Sequence, residues 1–415
     1  MSELDAWSTP LDEIDVSRAV LYGNDTQGPY FARLRRDAPV HYCARSDVGP
    51  YWSVTKFHDI KFVDTHHDLF SSEVGGITIA EQEADPEVML DNFIAMDPPR
   101  HDEQRKTVSP VVAPTNLMNL EPTIRDHVRD ILDNLPVGEP FNWVDKVSIE
   151  LTGRMLATIL DFPYEERRKL VYWSDVTTAS PQLMGEAGLS GEKRRDELAV
   201  CAATFARLWH ERAAAPPAHD LISMLAHGES TKDMLERPSE FLGNILLLIV
   251  GGNDTTRNSI SGGVLALNRY PDEYEKLRRN PKVIPNMVAE MVRWQTPVIH
   301  MRRTATADAE LGGKKIRAGD KVVMWYLSGN RDEEIFVDAD KLVIDRANAR
   351  SHVAFGYGIH RCMGNRLAEM QLRVLWEEIV AKFHSVELVA EPKRVPNNFI
   401  RGIADLPVVL RAHRS

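Results

Sequence analysis

The sequence predicts a mainly α protein with a small antiparallel β region. Apolar residues recur at helical spacing over most of residues 119–300. Short segments rich in β-branched and aromatic residues, bounded by turn residues, lie before and after this part of the chain. The 415 residues contain no internal repeat and no linker-like segment, so we expect a single domain over residues 1–415.

The predicted elements can be placed in chain order. Two strands are expected first, over residues 39–43 and 51–55. The predicted helices span residues 119–134, 143–161, 164–179, 192–214, 239–270 and 285–296. A strand pair, interrupted by two glycine-containing turns, is expected within residues 309–327. Further strands are predicted near residues 386–389 and 406–410.

Composition and charge exclude several classes of protein. Hydrophobic residues make up 43% of the chain and charged residues 27%, as in globular proteins with a large core. The net charge of −11 argues against a nucleic-acid partner. The three cysteines form no C-x-x-C pair, so neither a zinc site nor a disulfide framework is expected, which fits a cytoplasmic location. The N-terminus has no signal-peptide pattern, and the longest aliphatic run, residues 245–250, is too short for a membrane anchor.

Cys362 lies in an unusual segment, since residues 355–364 are FGYGIHRCMG. A helix with one apolar face is predicted directly after it. Glycines allow the backbone to approach a flat ligand closely, and the start of a helix stabilises a thiolate. A thiolate held in this way is a suitable axial ligand for iron. The competing interpretation is a buried structural cysteine.

The predicted helix over residues 239–270 contains the string GGNDTT, which begins at Gly251. Ser239 is its expected N-cap, and at about 1.5 Å per residue the helix would be roughly 45 Å long. Two glycines inside a helix cost about 1 kcal/mol each relative to alanine, which a flat cofactor packed against the helix would offset. The hydroxyl of Thr255 is placed to bond the Gly251 carbonyl, and Asp254 beside it is an acid that can relay protons. The alternative is an Asp-Thr pair on an ordinary core helix.

Two spacings place charged residues together on predicted helix faces. His101 and Arg105 are four residues apart, so both side chains can face a buried carboxylate. Glu290 and Arg293 are three residues apart and can form an ion pair. Charged residues at such spacings usually lie on a protein surface, so neither pair identifies a site by itself.

The segment FGYGIHRCMG resembles the haem-binding signature F-G-x-G-x-H-x-C-x-G of the cytochrome P450 family. The string GGNDTT is similar to the oxygen-side pattern of the same family, and the resemblance covers nearly the whole chain. It implies the cytochrome P450 fold, with haem b (iron protoporphyrin IX) buried between the long oxygen-side helix and the helix after the cysteine. The implied activity is that of a monooxygenase, which inserts one oxygen atom from O2 into a C–H bond.

The resemblance assigns roles to residues of both strings. Cys362 would be the axial ligand of the haem iron, and Gly251 would let the haem lie against the long helix. Thr255 would hydrogen-bond the dioxygen, and Asp254 would feed a proton relay. This acid–alcohol pair favours reductive activation of O2 over the use of peroxide.

The resemblance also assigns charged residues elsewhere in the chain. The haem propionates would be bound by His101, Arg105, Arg303 and His360. A buried network would be formed by Glu290, Arg293 and Arg346. Because removing one member of a buried network leaves an uncompensated charge, we expect these three residues to serve stability and not catalysis.

Three shorter strings, at residues 92–102, 251–258 and 300–305, resemble the bacterial branch that hydroxylates the ends of alkanes and fatty acids. This resemblance implies terminal hydroxylation of medium-chain alkanes or fatty acids. The implied substrate-contact residues are Ile77, Ile79, Leu247, Leu248, Val298, Ile299, Met301, Phe399 and Ile400. Their apolar side chains suit an apolar substrate and would equally suit a plain core. Whether the nearby His300 and Arg401 meet a polar head group stays open.

The chain carries no flavin or iron–sulfur motif, so its electrons must come from another protein. The resemblance implies a 2Fe–2S ferredoxin with its ferredoxin reductase, and a hydroxylase that is a monomer. A basic patch for an acidic ferredoxin, or else a solvated face, is expected from Arg105, Lys106, Arg361, Arg366 and Arg373. Two other functions stay open: hydroxylation of a terpene, steroid or other bulky apolar substrate, and a non-catalytic haem sensor or carrier.

Overall fold

Helices form most of the structure, a computed structural model that describes residues 6–80, 90–184 and 187–413. Its α-helices are α1 (Ala19–Gly23), α2 (Gly28–Asp37), α3 (Phe57–Thr65), α4 (Arg100–Val108), α5 (Pro114–Asp133), α6 (Glu150–Leu160), α7 (Arg168–Thr178), α8 (Pro181–Met184), α9 (Gly191–Ala213), α10 (Leu221–His227), α11 (Pro238–Arg269), α12 (Pro271–Arg279), α13 (Ile284–Gln295), α14 (Tyr326–Gly329) and α15 (Asn365–Lys382). Its strands are β1 (Val40–Cys43), β2 (Tyr51–Val54), β3 (Phe70–Ser71), β4 (Phe141–Asn142), β5 (Met301–Ala305), β6 (Ala309–Leu311), β7 (Lys314–Ile316), β8 (Lys321–Met324), β9 (Phe383–Leu388), β10 (Lys393–Arg394), β11 (Ile403–Asp405) and β12 (Pro407–Ala412).

The strands of the described residues form small sheets. The largest has the order β1-β2-β8-β5-β3 and is antiparallel except for the parallel pair β2–β8. Strands β4, β12 and β9 form an antiparallel sheet, and β10 pairs with β11. The hairpin β6–β7 turns at Gly312 and Gly313, whose φ angles of 55° and 70° favour glycine. The β region is therefore small and mainly antiparallel, as the sequence predicts.

The predicted helices are present with shifted ends. Helices α5, α9, α11 and α13 match four of the predicted ranges closely, although α5 begins earlier, at Pro114. The range 143–161 is divided into a π-helical segment, Val144–Ile149, and α6. Helix α7 begins at Arg168, after a short 3-10 turn. Helices α1 to α3 were not predicted, because their five to ten residues are too few for a clear period of apolar positions.

Helix α11 is the central element of the helical part. Its 32 residues span about 48 Å, and it packs against α6, α7, α13 and α15. The predicted N-cap at Ser239 is wrong: the helix begins at Pro238, which suits the first position because it has no N–H to satisfy. The Ser239 hydroxyl accepts instead from the N–H of Asp91 at 3.2 Å. Like every other helix in the described ranges, α11 is not apolar enough over a sufficient length to cross a membrane.

Candidate functional site

A cavity of about 470 Å³ lies between α11 and the cysteine loop (residues 355–364). The start of α15 and part of α6 also line it. Other lining residues fall within 75–80, 90–95, 297–301 and 399–400. Most of the lining side chains are aliphatic, so the cavity suits an apolar molecule or a flat cofactor.

Cys362 opens onto this cavity. Protein surrounds this residue, and its side chain is accessible only from within the cavity. Its backbone N–H donates to the Phe355 carbonyl at 2.8 Å, which closes the cysteine loop. Burial raises the pKa of the thiol, while the N–H groups of Gly364 and Asn365 and two nearby arginines lower it. These donors favour the thiolate, which is the form that ligates metals.

The two glycines in the middle of α11 serve different purposes. A Cβ added to Gly251 would meet no atom within 4 Å, so this residue presents bare backbone to the cavity. Gly364 of the cysteine loop does the same. Gly252 packs on Leu156 of α6, whose Cδ2 would lie 2.7 Å from an added Cβ. Of the α11 pair, only Gly251 leaves open space on the cavity side.

Gly356 and Gly358 of the cysteine loop are required by backbone conformation and by contact with Asp64. Their φ angles are 64° and 65°, in the left-handed region that favours glycine. A Cβ on Gly358 would lie 2.2 Å from the Asp64 carbonyl oxygen, and one on Gly356 would lie 3.3 Å from the Asp64 Oδ2. The sequence predicts that the glycines of the cysteine loop allow close approach to a flat ligand. That explanation is incomplete, because Gly356 and Gly358 pack against the end of α3.

The residues predicted to bind carboxylates lie together at one wall of the cavity. Arg105, Arg303 and His360 line it, and Arg105 also donates to the carbonyl of Arg361 at 2.5 Å. The His101 ring contacts the His360 ring, with 4.4 Å between their centroids. Nε2 of His101 and both ring nitrogens of His360 are buried without a hydrogen-bond partner among the described residues. Because buried polar atoms normally have partners, these nitrogens fit an anionic group held in the cavity, such as a haem propionate.

Asp64 and Tyr326 belong to the same wall and were missed by sequence reasoning. The Arg303 Nη2 donates to the Asp64 Oδ1 at 3.0 Å, and the Tyr326 hydroxyl donates to the Asp64 Oδ2 at 2.8 Å. Tyr326 also lines the cavity. Asp64 is more than two hundred residues from both partners in the sequence, so no local motif connects them.

Thr255 and Asp254 lie on different sides of α11. Thr255 lines the cavity, and its hydroxyl donates to the Gly251 carbonyl at 2.8 Å, as the spacing predicts. Asp254 does not line the cavity, and its Oδ1 accepts from the Arg257 Nη2 at 2.6 Å. The same Arg257 nitrogen donates to Asp175, whose side chain is 52% exposed, at 2.7 Å. Burial raises the pKa of Asp254 to about 6, although Arg257 opposes the shift.

Most of the predicted substrate residues line the cavity. The seven that do are Ile77, Leu247, Leu248, Val298, Met301, Phe399 and Ile400. Ile79 and Ile299 do not: both are fully buried in a separate core with Val323 and Trp325. Ile299 directly follows the lining residue Val298, and successive side chains of an extended backbone point to opposite sides. These two predictions are therefore corrected to core positions.

His300 holds one wall of the cavity, the wall loop (residues 74–80), in place. Its Nε2 accepts from the Ile79 N–H at 2.9 Å, and its Nδ1 donates to the Asn398 carbonyl at 2.9 Å. Arg401 is likewise occupied by backbone carbonyls and by the half-buried carboxylate of Asp25. Neither side chain faces the cavity, so neither is placed to bind a polar head group.

Two further hydrogen bonds join the wall loop to β5. The Thr304 hydroxyl donates to the Val74 carbonyl at 2.6 Å. The backbone N–H of Arg302 donates to the Ile77 carbonyl at 2.7 Å. The wall loop has no regular secondary structure here, and side-chain and backbone partners on the sheet satisfy its polar groups instead.

Acid is expected to destabilise the protein through His300. Burial lowers the pKa of His300 to about 4, whereas an unfolded chain binds this proton near pH 6.5. The stability that depends on neutral His300 is therefore complete above pH 6.5 and is lost as the pH falls towards 4, by roughly 3 kcal/mol in total. His300→Gln should flatten the fall of the thermal unfolding midpoint over this range, and His219→Gln, at an exposed position, should not. If the unfolding midpoint of His300→Gln fell as steeply between pH 6.5 and 4 as that of the parent protein, His300 would not be the group responsible.

Glu290, Arg293 and Arg346 lie together in the interior. The Nε and Nη2 of Arg293 each donate to Glu290 at 2.7 Å, and the Arg346 Nε donates to it at 3.0 Å. The remaining Arg293 donor, Nη1, bonds the carbonyls of Asn330 and Ala339 at 2.6 and 2.7 Å. This buried network holds α13 against the segment that leads to the cysteine loop.

The basic patch is smaller than the sequence predicts. Its exposed members, which form no ion pair with any residue the structure describes, are Lys106, Arg361 and Arg366. Arg105 lines the cavity and is only half-exposed. Arg373 is neutralised by two glutamates at 2.7 and 2.9 Å. The basic patch is therefore defined here as the three exposed cations beside the cysteine loop.

Further residues line the cavity without having been predicted as substrate contacts. They include Leu183 of α8, Thr178 at the end of α7 and Phe93 before α4. Leu183 and Thr178 have no motif nearby, and Phe93 lies in the string at residues 92–102, which by itself does not show that this side chain faces the cavity. Their apolar or hydroxyl side chains extend the predominantly apolar lining.

Comparison with known proteins agrees with this geometry. A family model described as cytochrome P450 matches residues 210–405. Linalool 8-monooxygenase of Pseudomonas putida is 37% identical over 414 residues, which cover 96% of this chain and 99% of that protein. Methyl-branched lipid omega-hydroxylase of Mycobacterium bovis is 33% identical over 400 residues, which cover 93% and 91%.

The fold is also similar to that of a solved structure. Cytochrome P450-153 from Novosphingobium aromaticivorans is 47% identical, with a TM-score of 0.90 and coverage of 96% of this chain and 99% of that one. This similarity extends over almost the whole chain, including the cavity and the cysteine loop. The chain therefore belongs to the cytochrome P450 family and is a monooxygenase that binds a thiolate-ligated haem.

Proposed function

We propose that this monooxygenase hydroxylates the ends of medium-chain alkanes or fatty acids. The observation that carries the proposal is the aliphatic cavity onto which Cys362 and Thr255 both open. The similarity to a methyl-branched lipid omega-hydroxylase supports attack at a chain end.

The residues around the cavity fit a haem. Cys362 would hold its iron, and the bare backbone of Gly251 leaves room for the ring. The propionates would be bound by His101, Arg105, Arg303 and His360. When bound, the haem supplies the iron at which O2 is reduced and split.

Asp254 and Thr255 would deliver protons to the cavity. The Thr255 hydroxyl is held at the cavity wall by its bond to the Gly251 carbonyl. With a pKa of about 6, Asp254 can bind and release a proton near neutral pH. Arg257 and the exposed Asp175 connect Asp254 to the protein surface, so the acid can be reprotonated from solvent.

Thr255→Ala is expected to reduce the product formed per electron consumed by roughly tenfold, because the cavity loses the hydroxyl that positions protons. Asp254→Asn should instead slow turnover by about a hundredfold, since acid–base catalysis contributes at least that much. Product and electron consumption would be measured together, with released hydrogen peroxide as the balance. Thr255→Ser keeps the hydroxyl and is the matched control. Unchanged coupling in Thr255→Ala would exclude this role.

Terminal attack requires positioning, because a terminal C–H bond is stronger than an internal one. The apolar walls would hold the chain so that only its methyl end reaches the iron. The decisive experiment is a substrate panel with the holoenzyme, scored by spin-state shift and by the position of the new hydroxyl group. Linear chains of medium length should give mainly the terminal alcohol; internal alcohols as main products would refute terminal selectivity.

A second candidate is hydroxylation of a bulky or branched apolar substrate such as a terpene or steroid. It is favoured by the 37% identity to linalool 8-monooxygenase. The same panel separates the two candidates, because a cavity shaped for linear chains would give no spin-state shift with ring systems. A shift with ring compounds alone would replace the first candidate by the second.

Electrons would come from a 2Fe–2S ferredoxin and its ferredoxin reductase. The basic patch lies next to Cys362, where the path to the iron would be short. The Arg105–Arg361 hydrogen bond holds α4 against the cysteine loop, so cations from both elements share one surface. An acidic ferredoxin complements this surface, although the protein as a whole is acidic.

Arg366→Glu is expected to raise the KM for an acidic ferredoxin about tenfold at low salt, with little change in kcat, because rim charges act mainly on association. The effect should shrink at high ionic strength. Arg279→Glu on α12 is the matched control, since Arg279 is also exposed but lies on another helix. Equal effects of both substitutions would show that only net charge matters.

We further propose a single-domain monomer that works in the cytoplasm. Limited proteolysis of the holoenzyme and sedimentation velocity would test the first two statements. A stable fragment pair or a dimer at working concentration would contradict them. Fractionation of the source cells would test the third.

A further inference from the structure

Asp64 is a buried carboxylate that has no part in the proposed reaction. It lies near the end of α3 and is 2% exposed. Its Oδ1 accepts from the Arg303 Nη2 at 3.0 Å. Its Oδ2 accepts from the Tyr326 hydroxyl at 2.8 Å and from the Tyr357 N–H at 2.9 Å. Burial raises the pKa of Asp64, while Arg303, the Tyr357 N–H and the Tyr326 hydroxyl act against this shift by stabilising the ionised carboxylate.

Arg303 is held in one orientation by these contacts. While Nη2 bonds Asp64, the Nη1 donates to the Arg302 carbonyl at 2.7 Å. The guanidinium is planar with donors in a fixed fork, so two bonded nitrogens determine its direction. Because Arg303 also lines the cavity, Asp64 sets how this cation faces a propionate.

The same carboxylate also holds the cysteine loop. Its bond to the Tyr357 N–H joins α3 to the loop that carries Cys362. The backbone of Gly358 passes so close that a Cβ there would lie 2.2 Å from the Asp64 carbonyl oxygen. Asp64 therefore connects the cation at the propionate wall with the loop that carries the axial cysteine.

We propose that Asp64 is a positioning residue that fixes Arg303 and the cysteine loop together and whose negative charge lowers the reduction potential of the bound haem. Ferrous haem carries one more electron than ferric haem, so a nearby negative charge disfavours it. Because Asp64 is buried, solvent and salt screen its charge less than they would screen an exposed carboxylate. The inference concerns the cofactor site alone and holds for either substrate candidate.

The test is a spectroelectrochemical titration of the holoenzyme and of Asp64→Asn. Asparagine has nearly the same shape but no charge, so the ferrous-to-ferric ratio at a fixed potential should rise three- to tenfold. At 59 mV per tenfold change for one electron, this corresponds to an increase of about 28 to 59 mV. A ratio within twofold of the parent protein would overturn the proposal.

Asp332→Asn is the matched control. Asp332 is equally buried, and its Oδ2 accepts from the Phe57 N–H at 2.9 Å, at the other end of α3. Asp332→Asn should leave the ferrous-to-ferric ratio within twofold of the parent protein. A rise equal to that of Asp64→Asn would overturn the proposal, because loosening one end of α3 would then be enough to change the ratio. If Asp64→Asn does not fold, Tyr326→Phe decides. Tyr326→Phe removes one hydrogen-bond donor from the Asp64 carboxylate, so less of its negative charge is offset. The ferrous-to-ferric ratio should therefore fall at least twofold, and an unchanged or raised ratio would overturn the proposal.

Discussion

Cys362→His is expected to abolish the thiolate-type Soret band of the reduced carbon monoxide complex. Imidazole is a neutral ligand and cannot supply the electron density that a thiolate gives to the iron. Because mutation of residues that only support a ligand costs about 10- to 100-fold in activity, loss of the ligand itself should cost more than roughly a hundredfold. The measurements are the reduced carbon monoxide spectrum and gas chromatography of the products.

The other two cysteines provide the controls for this prediction. Cys43 and Cys201 are buried, and burial raises the pKa of both thiols. Neither lines the cavity, so Cys43→Ala and Cys201→Ala should keep the thiolate-type band even where they lower stability. If Cys362→His kept that band, the ligand assignment would be wrong.

Glu290→Ala is expected to destabilise the protein by about 3–5 kcal/mol, because it leaves two buried guanidinium groups without their shared carboxylate. Both cations stay fixed by backbone carbonyls and cannot move to solvent. In a protein of this size the thermal unfolding midpoint should fall by roughly 5 °C or more. The midpoint would be followed at the Soret band and by circular dichroism, because a bound cofactor makes unfolding depart from two-state behaviour.

A pair with the same spacing whose side chains reach solvent, 43% exposed for the glutamate and 27% for the arginine, serves as the control. Glu275 and Arg278 of α12 are also three residues apart, with 2.9 Å between the Glu275 Oε2 and the Arg278 Nε. Exposed pairs contribute little, so Glu275→Ala should leave the midpoint within about 1 °C. Equal losses in the two variants would show that burial of the network does not matter.

The parts of the site that the sequence predicts best are set by local geometry. A hydroxyl four residues after a carbonyl on a helix can reach it, and the Thr255–Gly251 bond follows directly from that spacing. The same helix rotates by about 100° per residue, so the neighbouring Asp254 faces α7 and not the cavity. The GGNDTT motif therefore identifies Asp254 and Thr255 as a pair. The fold is needed to show that only Thr255 faces the cavity.

Other features depend on contacts between distant parts of the chain. Asp64 meets Arg303 across 239 positions, and no periodic pattern records that contact. Ile79 and Ile299 have the apolar side chains of a substrate wall, and only the direction of the backbone places them in a core. Arg373 has the charge expected of a docking surface, but glutamates of α5 and α15 neutralise it. For Ile79, Ile299 and Arg373 the sequence predicts the chemical character of the side chain, but its orientation and partners depend on the fold.

The attachment of the wall loop has a consequence for how this enzyme can evolve. Its backbone is fixed by His300, Thr304 and Arg302, none of which contributes its side chain to the substrate-facing surface. The side chains that do face the cavity, such as Ile77 and Met301, can therefore be exchanged without moving the scaffold. Substitutions at separated lining positions should then act nearly additively. We therefore expect single substitutions at these lining positions to change the shape of the cavity while the wall loop stays attached.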